Sequence, residues 1–407
     1  MRKIGVVGLG KLGLPLALVM SKNPDNKVVG FDIDPSRIKE LQNGRYKGAE
    51  PEVAELLSSA QSNLTFTNSI FHLTDSDIAY LIVPTPSAID GSFVNDYLLS
   101  ALEELGKAWR DNVEPKSIVI VSTVMPGSTE GELRTHLEKS MNRGCGEKLA
   151  LVYSPEFIAL GSVVENLLNP DVILIGSDLK WAHDKHLEVT TSYLTHVPNV
   201  ISLNFKEAEL AKILLNTYIT MKISFANFIG ELARFDEGIN AQSIAKAVSA
   251  DSRVGSKYFR PGLGYGGPCF PRDNRALIAY SNTIGASAEL AIATDKINSR
   301  TPDSIVKNIV ARFPKLSSIG VYGLTYKENS EVTEESQSIM LANAFVQHGL
   351  IVKAYDPILT DKPTGLSSSV KFEENLADFV LVDLIVNSTG KFEIESELLS
   401  GTQIYTL

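Results

Sequence analysis

The stretch of sequence that decides the fold opens the chain: Ile4-Gly5-Val6-Val7-Gly8-Leu9-Gly10-Lys11-Leu12-Gly13. Its first half is apolar and β-branched, as in a buried strand, and its second half is a Gly-x-Gly-x-x-Gly turn that leads into a helical pattern. Asp32 ends the next apolar run, about 20 residues further on. Together these features predict a strand–helix–strand unit whose first turn binds a dinucleotide.

The residue types of this turn suit a pyrophosphate. Glycines let the backbone approach the ligand closely, and the N-terminus of the following helix supplies N–H donors and positive potential. A carboxylate at Asp32 accepts from a ribose 2′-hydroxyl, which favours NAD over NADP. Arg37 either contacts the adenine end or a 2′-phosphate, or is a solvated helix residue. The predicted NAD site comprises Gly8, Gly10, Lys11, Leu12, Gly13, Asp32 and Arg37.

Short apolar runs alternate with amphipathic helical stretches as far as about residue 200, which is typical of a doubly wound parallel sheet. The candidate strands are Ile4–Leu9, Lys27–Asp32, Ile78–Val83, Ile118–Ser122, Leu149–Tyr153 and Val172–Ile175. Residues 205–235 then run without proline and with apolar side chains at helical spacing, which predicts one long helix.

The last part of the chain repeats the pattern of the first. Ile319-Gly-Val-Tyr-Gly-Leu324 resembles Ile4–Leu9, and Val352-Lys-Ala-Tyr-Asp-Pro357 resembles Val29–Pro35. The predicted fold class is therefore α/β, with two Rossmann-like, doubly wound parallel-sheet domains joined by a central helical dimerisation module. The predicted domains are residues 1–200 for NAD binding, 201–300 for the helical module, and 301–407 for the second sheet.

Composition excludes several classes of function. The chain has 407 residues, of which 44% are hydrophobic and 21% charged, and its net charge is −10. An acidic balance argues against binding to nucleic acid or to an anionic membrane, and every apolar run is too short to cross a bilayer. The two cysteines lack zinc or disulfide spacing and no P-loop is present, so we expect a soluble, cytoplasmic protein without a metal site.

The most unusual stretch is Gly262-Leu-Gly-Tyr-Gly-Gly-Pro-Cys-Phe-Pro-Arg-Asp273. Cys269 precedes a helix start marked by Pro271, where the helix dipole and nearby cations favour the nucleophilic thiolate. Asp273, in the first helical turn, is either a proton acceptor or a helix-start residue. Cys145 lies in a polar turn without these features, and we interpret it as a structural thiol.

Other polar residues fall where a parallel sheet binds ligands or along the long helix. Val83-Pro84-Thr85-Pro86 and Ser122-Thr123 follow two candidate strands, so their hydroxyls are expected to face a ligand. One face of the long helix carries Glu209, Lys212 and Asn216. This face either belongs to a site or carries only a surface pair of Glu209 with Lys212. His183 and His186 are interpreted as solvated surface residues rather than metal ligands.

These motifs together resemble the nucleotide-sugar 6-dehydrogenases, the UDP-glucose/GDP-mannose 6-dehydrogenase family. The resemblance runs from Lys3 to about Ser338 and continues more weakly to the end. It rests on Gly8–Gly13, Val83–Pro86, Ser122–Val124, Ser154-Pro-Glu-Phe157, Glu209-x-x-Lys-x-x-x-Asn216, Lys222-Ile-Ser224 and Gly264–Asp273. It implies that NAD oxidises an alcohol of the sugar twice at one site, giving a uronic acid, and that the 301–407 domain binds the nucleotide of the substrate.

The resemblance also implies roles for individual residues. In the first oxidation, a water held by Thr123 and Asp273 takes the hydroxyl proton. Cys269 then attacks the aldehyde, and the thiohemiacetal is oxidised to a thioester.

Three further residues complete the implied chemistry. Lys212 and Asn216 stabilise the oxyanion beside the cysteine, and Glu156 is the general base for thioester hydrolysis.

Further contacts follow from the same resemblance. Those to the cofactor are Pro84, Thr85, Pro86, Ser122 and Thr123. Those to the substrate are Glu156, Phe157, Lys212, Asn216, Arg253, Lys257, Arg260, Tyr265, Gly266, Tyr326 and Lys327. One arginine is expected from a partner subunit, which agrees with a homodimer or a dimer-based oligomer built on the long helix.

The chain departs from the family pattern at three places. Leu160 stands where a second glutamate is common, Glu334 stands where an arginine is usual, and no arginine follows the last strand. Phe157-Ile158 favours an unacetylated hexose, so UDP-glucose is the expected substrate. GDP-mannose or a UDP-N-acetylhexosamine, a two-electron dehydrogenase of the β-hydroxyacid type, and a non-catalytic nucleotide sensor are the alternatives.

Overall fold

A computed structural model describes residues 1–48, 50–60, 62–327, 330–388 and 402–407. The chain forms two compact units, Met1–Ile213 and Leu214–Leu407. The division falls inside one helix, whereas the sequence predicted three segments. The second unit contains both the helical segment and a second sheet.

The first unit is built on an eight-stranded sheet. Its strands are β1 (Arg2–Val7), β2 (Asn26–Phe31), β3 (Leu64–Thr67), β4 (Ile78–Leu81), β5 (Lys116–Ile120), β6 (Leu149–Tyr153), β7 (Val172–Gly176) and β8 (Asn199–Leu203). They lie in the order β3-β2-β1-β4-β5-β6-β7-β8. Neighbours pair in parallel, except that β6 and β7 meet at one antiparallel pair. The strand order reverses between β1 and β4, which creates the crevice where doubly wound sheets bind nucleotides.

Helices cover both faces of this sheet. They are α1 (Gly13–Ser21), α2 (Pro35–Gln42), α3 (Val53–Ser58), α4 (Asp96–Trp109), α5 (Arg134–Met141), α6 (Val163–Leu168) and α7 (Lys180–Thr191), with single turns at Ile70–Leu73 and Thr129–Leu133. Adjacent residues of a strand point to opposite faces. Val6 therefore packs in one core with Met20 of α1, and Val7 packs in the other with Trp109 of α4.

All six strands predicted for this region are confirmed, within a few residues at their ends. The prediction missed β3 and β8, which are the two edge strands. Because an edge strand is only partly covered, its sequence lacks a continuous apolar run: Asn199–Leu203 contains no fully buried residue.

The second unit begins within the long helix α8 (Phe205–Phe235), whose bounds agree with the prediction. Its other elements are α9 (Ala241–Ser249), α10 (Phe270–Thr283), α11 (Glu289–Arg312), β9 (Ser318–Tyr322), α12 (Gln337–Gln347), β10 (Ile351–Tyr355), β11 (Val370–Phe372), α13 (Leu376–Phe379), β12 (Leu384–Asn387) and β13 (Gln403–Thr406). The five strands are all parallel, in the order β11-β10-β9-β12-β13.

The predicted repeat between the two sheets is confirmed at the level of hydrogen bonds. In the first sheet, the N–H of Leu9 donates to Asp32 Oδ2 at 2.9 Å. In the second, the N–H of Leu324 donates to Asp356 Oδ2 at 2.6 Å. Each bond joins the turn that follows one strand to the acidic residue that follows the adjacent strand. Asp356 is buried, whereas Asp32 is half-exposed and accessible to a ligand.

The apolar runs of the sequence were expected to be too short to cross a bilayer. Within the described ranges, no helix is long and apolar enough to span a membrane.

The interpretation of His186 as a solvated residue is wrong, because it lies on the inner face of α7 and its Nδ1 is 3.1 Å from the Tyr80 hydroxyl. Burial lowers the pKa of His186 to about 3, so this imidazole is neutral.

Candidate active site

The glycine-rich turn has the shape that a dinucleotide requires. Gly8 has φ +93°, and a Cβ on Gly13 would lie 1.8 Å from the Gly8 carbonyl oxygen, so both positions require glycine. A Cβ on Gly10 would meet nothing within 4 Å. The turn is therefore tight at its base and open at Gly10, where the start of α1 presents its N–H groups.

The polar residues around this turn are consistent with a bound nucleotide. Asp32 accepts the N–H groups of Leu9 and Asp34 at 2.9 and 3.0 Å, which fixes its carboxylate beside the turn. Arg37 Nε donates to the Leu9 carbonyl at 2.7 Å, so this side chain supports the turn as well as lining it. Lys11 is exposed, while Leu12 packs against the core. These residues fit NAD.

The loops after β4 and β5 are tied to each other. The Ser122 hydroxyl donates to the Val83 carbonyl at 2.6 Å and accepts the Val83 N–H at 3.0 Å. The Thr85 hydroxyl donates to the Thr123 carbonyl at 2.7 Å. Ser122 and Thr85 therefore use their hydroxyls to join the loops, and their contact with the cofactor stays a prediction. Thr123 lies between them with a partly exposed side chain.

Lys212 and Glu156 meet within the first unit. Lys212 Nζ donates to the Glu156 carbonyl oxygen at 2.8 Å and lies 4.6 Å from the centre of the Phe157 ring. Burial raises the pKa of the Glu156 carboxyl to about 7, and the Lys212 ammonium partly opposes that rise. A carboxyl with a pKa near neutrality can accept a proton and release it again during turnover.

The α8 residues singled out from sequence are not a surface pair. Glu209, Lys212 and Asn216 are all buried, with Glu209 0% exposed. The Glu209 carboxylate accepts the backbone N–H groups of Gly127 and Thr129, not the Lys212 ammonium. The alternative of a solvated Glu–Lys pair is therefore wrong.

In the second unit the proposed nucleophile lies at a helix start. Cys269 is the residue before α10, and it is exposed. Asp273, one turn further on, is buried, and its Oδ2 accepts a hydrogen bond of 2.6 Å from Asn216 Nδ2. Asn216 lies one turn after Lys212 on α8, so the same helix presents both predicted oxyanion donors.

The segment that precedes Cys269 is held by side chains that the sequence analysis did not identify. The Tyr265 hydroxyl donates to the Asp295 carboxylate. Asn298 holds the Tyr265 backbone on both sides: its Oδ1 accepts the Tyr265 N–H at 2.8 Å, and its Nδ2 donates to the Tyr265 carbonyl at 3.0 Å. The sequence carries no signal for these contacts: Thr294, Asn298 and Thr301 lie at helical spacing on α11, but only the fold shows that they are buried.

The same segment packs against the loop after β9. Gly267 has φ +80°, and a Cβ there would lie 2.5 Å from the Tyr326 ring. The Gly267 N–H donates to the Glu334 carbonyl at 2.9 Å. The structure thus brings Gly267, the residue after Gly266, against the ring of Tyr326, whose neighbour is Lys327.

The basic residues of the 251–260 segment are exposed. Arg253 forms an ion pair with Asp251 at 2.7 Å, and Lys257 and Arg260 lie on the same exposed stretch. These side chains are accessible to an anionic ligand.

Two other residues singled out from the sequence, Leu160 and Cys145, are packed against the protein interior. Leu160 packs against the apolar core of the first unit. Cys145 is half-buried, and burial raises the pKa of its thiol to about 12, which agrees with its interpretation as an unreactive thiol. Among the described residues no cluster of three His, Cys, Asp or Glu side chains could hold a metal ion.

Three family profiles match the chain in sequence order. They are the NAD binding domain of the UDP-glucose/GDP-mannose dehydrogenase family at residues 2–192, its central domain at 206–300, and its UDP binding domain at 320–400.

Individual relatives agree with these matches. UDP-glucose 6-dehydrogenase TuaD of Bacillus subtilis is 31% identical over 90% of this chain and 78% of its own length. UDP-glucose 6-dehydrogenase AglM of Haloferax volcanii is 28% identical over 92% of this chain and 88% of its own.

Solved structures show the same fold. The UDP-glucose dehydrogenase of Pyrobaculum islandicum superposes with a TM-score of 0.87 and 31% identity, covering 96% of this chain and 90% of that one. The UDP-D-ManNAc dehydrogenase of Pyrococcus horikoshii superposes with a TM-score of 0.84 at 24% identity, covering 100% and 95%. The chain therefore belongs to the UDP-glucose/GDP-mannose dehydrogenase family and is an NAD-dependent nucleotide-sugar dehydrogenase.

Proposed function

We propose that this enzyme oxidises the C6 hydroxyl of a nucleotide sugar to the carboxylate, with UDP-glucose as the favoured substrate and UDP-glucuronate as the product. The alcohol loses a hydride and a proton to give the aldehyde, and a covalent adduct of the aldehyde loses a second hydride and proton. Bound NAD accepts the hydride in each oxidation, so two NAD are consumed for each sugar. The division of the chain at 1–200, 201–300 and 301–407 belongs to the same proposal.

The observation that carries the proposal is the position of Cys269. An exposed thiol at the start of α10 lies one turn before a buried carboxylate, Asp273, that Asn216 holds in place. A helix N-terminus favours the thiolate over the thiol. A two-electron dehydrogenase has no use for such a nucleophile, whereas a four-electron enzyme needs one to retain the aldehyde.

The first oxidation requires a group that takes the hydroxyl proton. We assign this step to a water held by Thr123 and Asp273, which takes the hydroxyl proton. Thr123 suits this task because Thr85 and Ser122 fix its backbone.

The second oxidation begins with attack of the Cys269 thiolate on the aldehyde carbon. A C–S bond forms, and the carbonyl oxygen becomes an oxyanion that Lys212 and Asn216 stabilise before it is protonated. Loss of hydride and proton from this thiohemiacetal gives a thioester. Glu156 then removes a proton from the attacking water, the C–S bond breaks, and the thiolate and the uronic acid separate.

The substrate class follows from the basic and aromatic groups of the second unit. We assign binding of the diphosphate and sugar to the side chains of Arg253, Lys257, Arg260 and Lys327. Further contacts with the substrate are assigned to Tyr265, Gly266 and Tyr326. Relatives that carry the name UDP-glucose 6-dehydrogenase favour UDP-glucose. A UDP-D-ManNAc dehydrogenase of the same fold keeps UDP-N-acetylhexosamines as the second candidate, with GDP-mannose as the third.

The enzyme is proposed to be a homodimer through α8. Its residues Leu214, Tyr218, Met221, Phe225, Phe228, Leu232 and Phe235 alternate four and three apart, and all but the half-buried Met221 are exposed. This is the heptad spacing of a helix that packs against another helix. A second copy of α8 presents the same stripe, as an isologous interface requires.

One assay tests the proposed function. The protein is incubated with NAD and each of UDP-glucose, UDP-N-acetylglucosamine, UDP-N-acetylmannosamine and GDP-mannose, and the NADH formed for each sugar consumed is counted. We expect two NADH for each UDP-glucose and less activity with the other three. One NADH per sugar would contradict the covalent mechanism, and preference for an acetylated sugar would overturn the substrate assignment alone.

A further inference from the structure

Glu209 is a buried carboxylate whose hydrogen-bond partners are backbone N–H groups rather than a cationic side chain. It is 0% exposed, and its two oxygens accept the N–H groups of Gly127 and Thr129, the latter at 2.8 Å. These N–H groups lie at the start of the helical segment Thr129–Met141, where the helix carries positive partial charge and its N–H groups lack partners within the helix. Glu209 thus caps this segment from a distant part of the chain.

The loop that Glu209 holds contains Thr123. Its near end is fixed by the Ser122 and Thr85 hydroxyls, and its far end is fixed by the Glu209 carboxylate. Lys212, one turn after Glu209 on α8, donates to the Glu156 carbonyl in the loop after β6. The first turns of α8 therefore attach the loops that follow two neighbouring strands, β5 and β6.

Burial removes the water that would hydrate the charged Glu209 carboxylate. Burial raises the pKa of Glu209, and the N–H groups of Gly127 and Thr129 only partly compensate. Among the ion pairs of the described residues, none involves Glu209. An apolar side chain here would leave both N–H groups without this acceptor, whereas the carboxylate supplies one oxygen to each. A carboxylate is useful because it fixes two backbone groups in direction as well as in distance.

We propose that Glu209 is a positioning residue that fixes Thr123 relative to Lys212. The inference rests on the proposed function, in which these two residues act on the same substrate. The E209Q variant tests it, because glutamine keeps the size of the side chain but replaces one acceptor oxygen with an NH₂ group. One of the two backbone N–H groups then faces a donor instead of an acceptor.

Two measurements are made on E209Q. Amide hydrogen exchange reports whether Gly127 and Thr129 lose protection, and it requires no turnover. Rapid mixing with NAD and UDP-glucose reports the rate of the first NADH formed. We expect faster exchange at these two amides and a first turnover slowed by about tenfold or more, because misplacement of a reacting group by about 1 Å reduces rates strongly. The KM values for NAD and sugar should change by about twofold or less.

The matched control is D383N in the second unit. Asp383 Oδ2 also accepts two backbone N–H groups, from Ser317 at 2.9 Å and Ser318 at 2.8 Å. The variant makes the same chemical change outside the proposed site, so it should keep the wild-type rate even where the melting temperature falls. Should E209Q not fold, E209D keeps the charge with a side chain one methylene shorter, and the same two results are expected of it.

The outcomes separate this inference from the proposed function. Unchanged exchange at Gly127 and Thr129 overturns the inference, and so does a first-turnover rate that falls no more than in D383N for an equal loss of melting temperature. Absence of NADH from the wild-type protein with every sugar would instead overturn the proposed function. The exchange measurement would still decide whether Glu209 holds the loop.

Discussion

Asn216 on α8 and Asp273 on α10 are joined by a buried hydrogen bond of 2.6 Å between the amide Nδ2 and the carboxylate Oδ2. The bond fixes the carboxylate one turn after Cys269, and it holds α10 to the helix that carries Lys212. A charge-assisted bond of this kind is stronger than a neutral one, and its loss leaves a buried acceptor with one donor fewer.

The first prediction concerns this bond. Asn216→Ala and Asp273→Asn should each lower the free energy of unfolding by about 1–3 kcal/mol, measured by urea denaturation. The double variant should cost clearly less than the sum, since the two changes remove the same interaction. The exposed pair Lys180 and Asp184 is the control, for which a coupling of about 0.5 kcal/mol or less is expected. Strict additivity at Asn216 and Asp273 would contradict the assigned bond.

The second prediction compares the two cysteines. Iodoacetamide should modify Cys269 in the folded protein and leave Cys145 intact, because Cys269 is exposed whereas burial raises the pKa of the Cys145 thiol. Mass spectrometry of the labelled peptides measures this. Cys269→Ser should stall the second half-reaction, while Cys145→Ser should produce two NADH per sugar at the wild-type rate. Normal uronate production by Cys269→Ser would refute the role of this thiol.

The third prediction concerns the pKa of Glu156, which burial raises to about 7 from its usual 4.5. A raised carboxyl pKa means that the folded protein binds this proton more tightly than the unfolded chain. The contribution of Glu156 to stability is therefore fully present below about pH 4.5 and is lost as the pH rises through 7.

The Glu156→Gln variant, which carries no titratable proton, provides the test. It should gain stability relative to wild type as the pH rises from 5 to 8, measured by urea denaturation. Thioester hydrolysis in the wild type should accelerate through about pH 7, and the variant should lack this acceleration. A constant difference in stability across this range would show that Glu156 titrates normally.

Part of the architecture was accessible from sequence because short-range patterns determine it. The turn at Gly8–Gly13, the long α8 and the repeated turn at Leu324 each follow from glycine placement or apolar spacing within a short window. Edge strands such as β8 were missed because half-covered strands lack that spacing.

The partners of polar side chains were the part that sequence could not supply. Helical spacing leaves Glu209 either in a site or in a surface pair with Lys212, but it bonds to Gly127 and Thr129, which are about 80 residues away in the sequence. Asn298 was not identified because nothing in the local sequence marks a buried amide that holds the Tyr265 backbone. Such contacts depend on the tertiary fold, so neither propensity nor spacing reveals them.

The fourth prediction tests the dimer. Phe225→Glu with Phe228→Glu places charges in the exposed stripe of α8 and should convert the protein to a monomer, measured by sedimentation velocity. Because both side chains are exposed in the single chain, the monomer should remain folded by circular dichroism. Lys206→Glu, an exposed change in the first turn of the same helix, is the control and should leave the mass unchanged. A wild-type protein that sediments as a monomer would remove this interface from the proposal.

The fifth prediction separates two roles of glycine in the dinucleotide turn. A Cβ on Gly13 would lie 1.8 Å from the Gly8 carbonyl oxygen, so Gly13→Ala should lower the melting temperature without any ligand present. A Cβ on Gly10 would meet nothing within 4 Å, so Gly10→Ala should melt like the wild type.

Calorimetry with NAD completes this test. Gly10→Ala should bind NAD about tenfold or more weakly, because its methyl group would project into the open side of the turn where the pyrophosphate lies. Gly146→Ala is the control, since a Cβ there also meets nothing within 4 Å, and it should leave NAD affinity unchanged. If Gly10→Ala bound NAD as tightly as the wild type, the pyrophosphate would have to lie elsewhere, and the glycine at position 10 would serve only the path of the backbone.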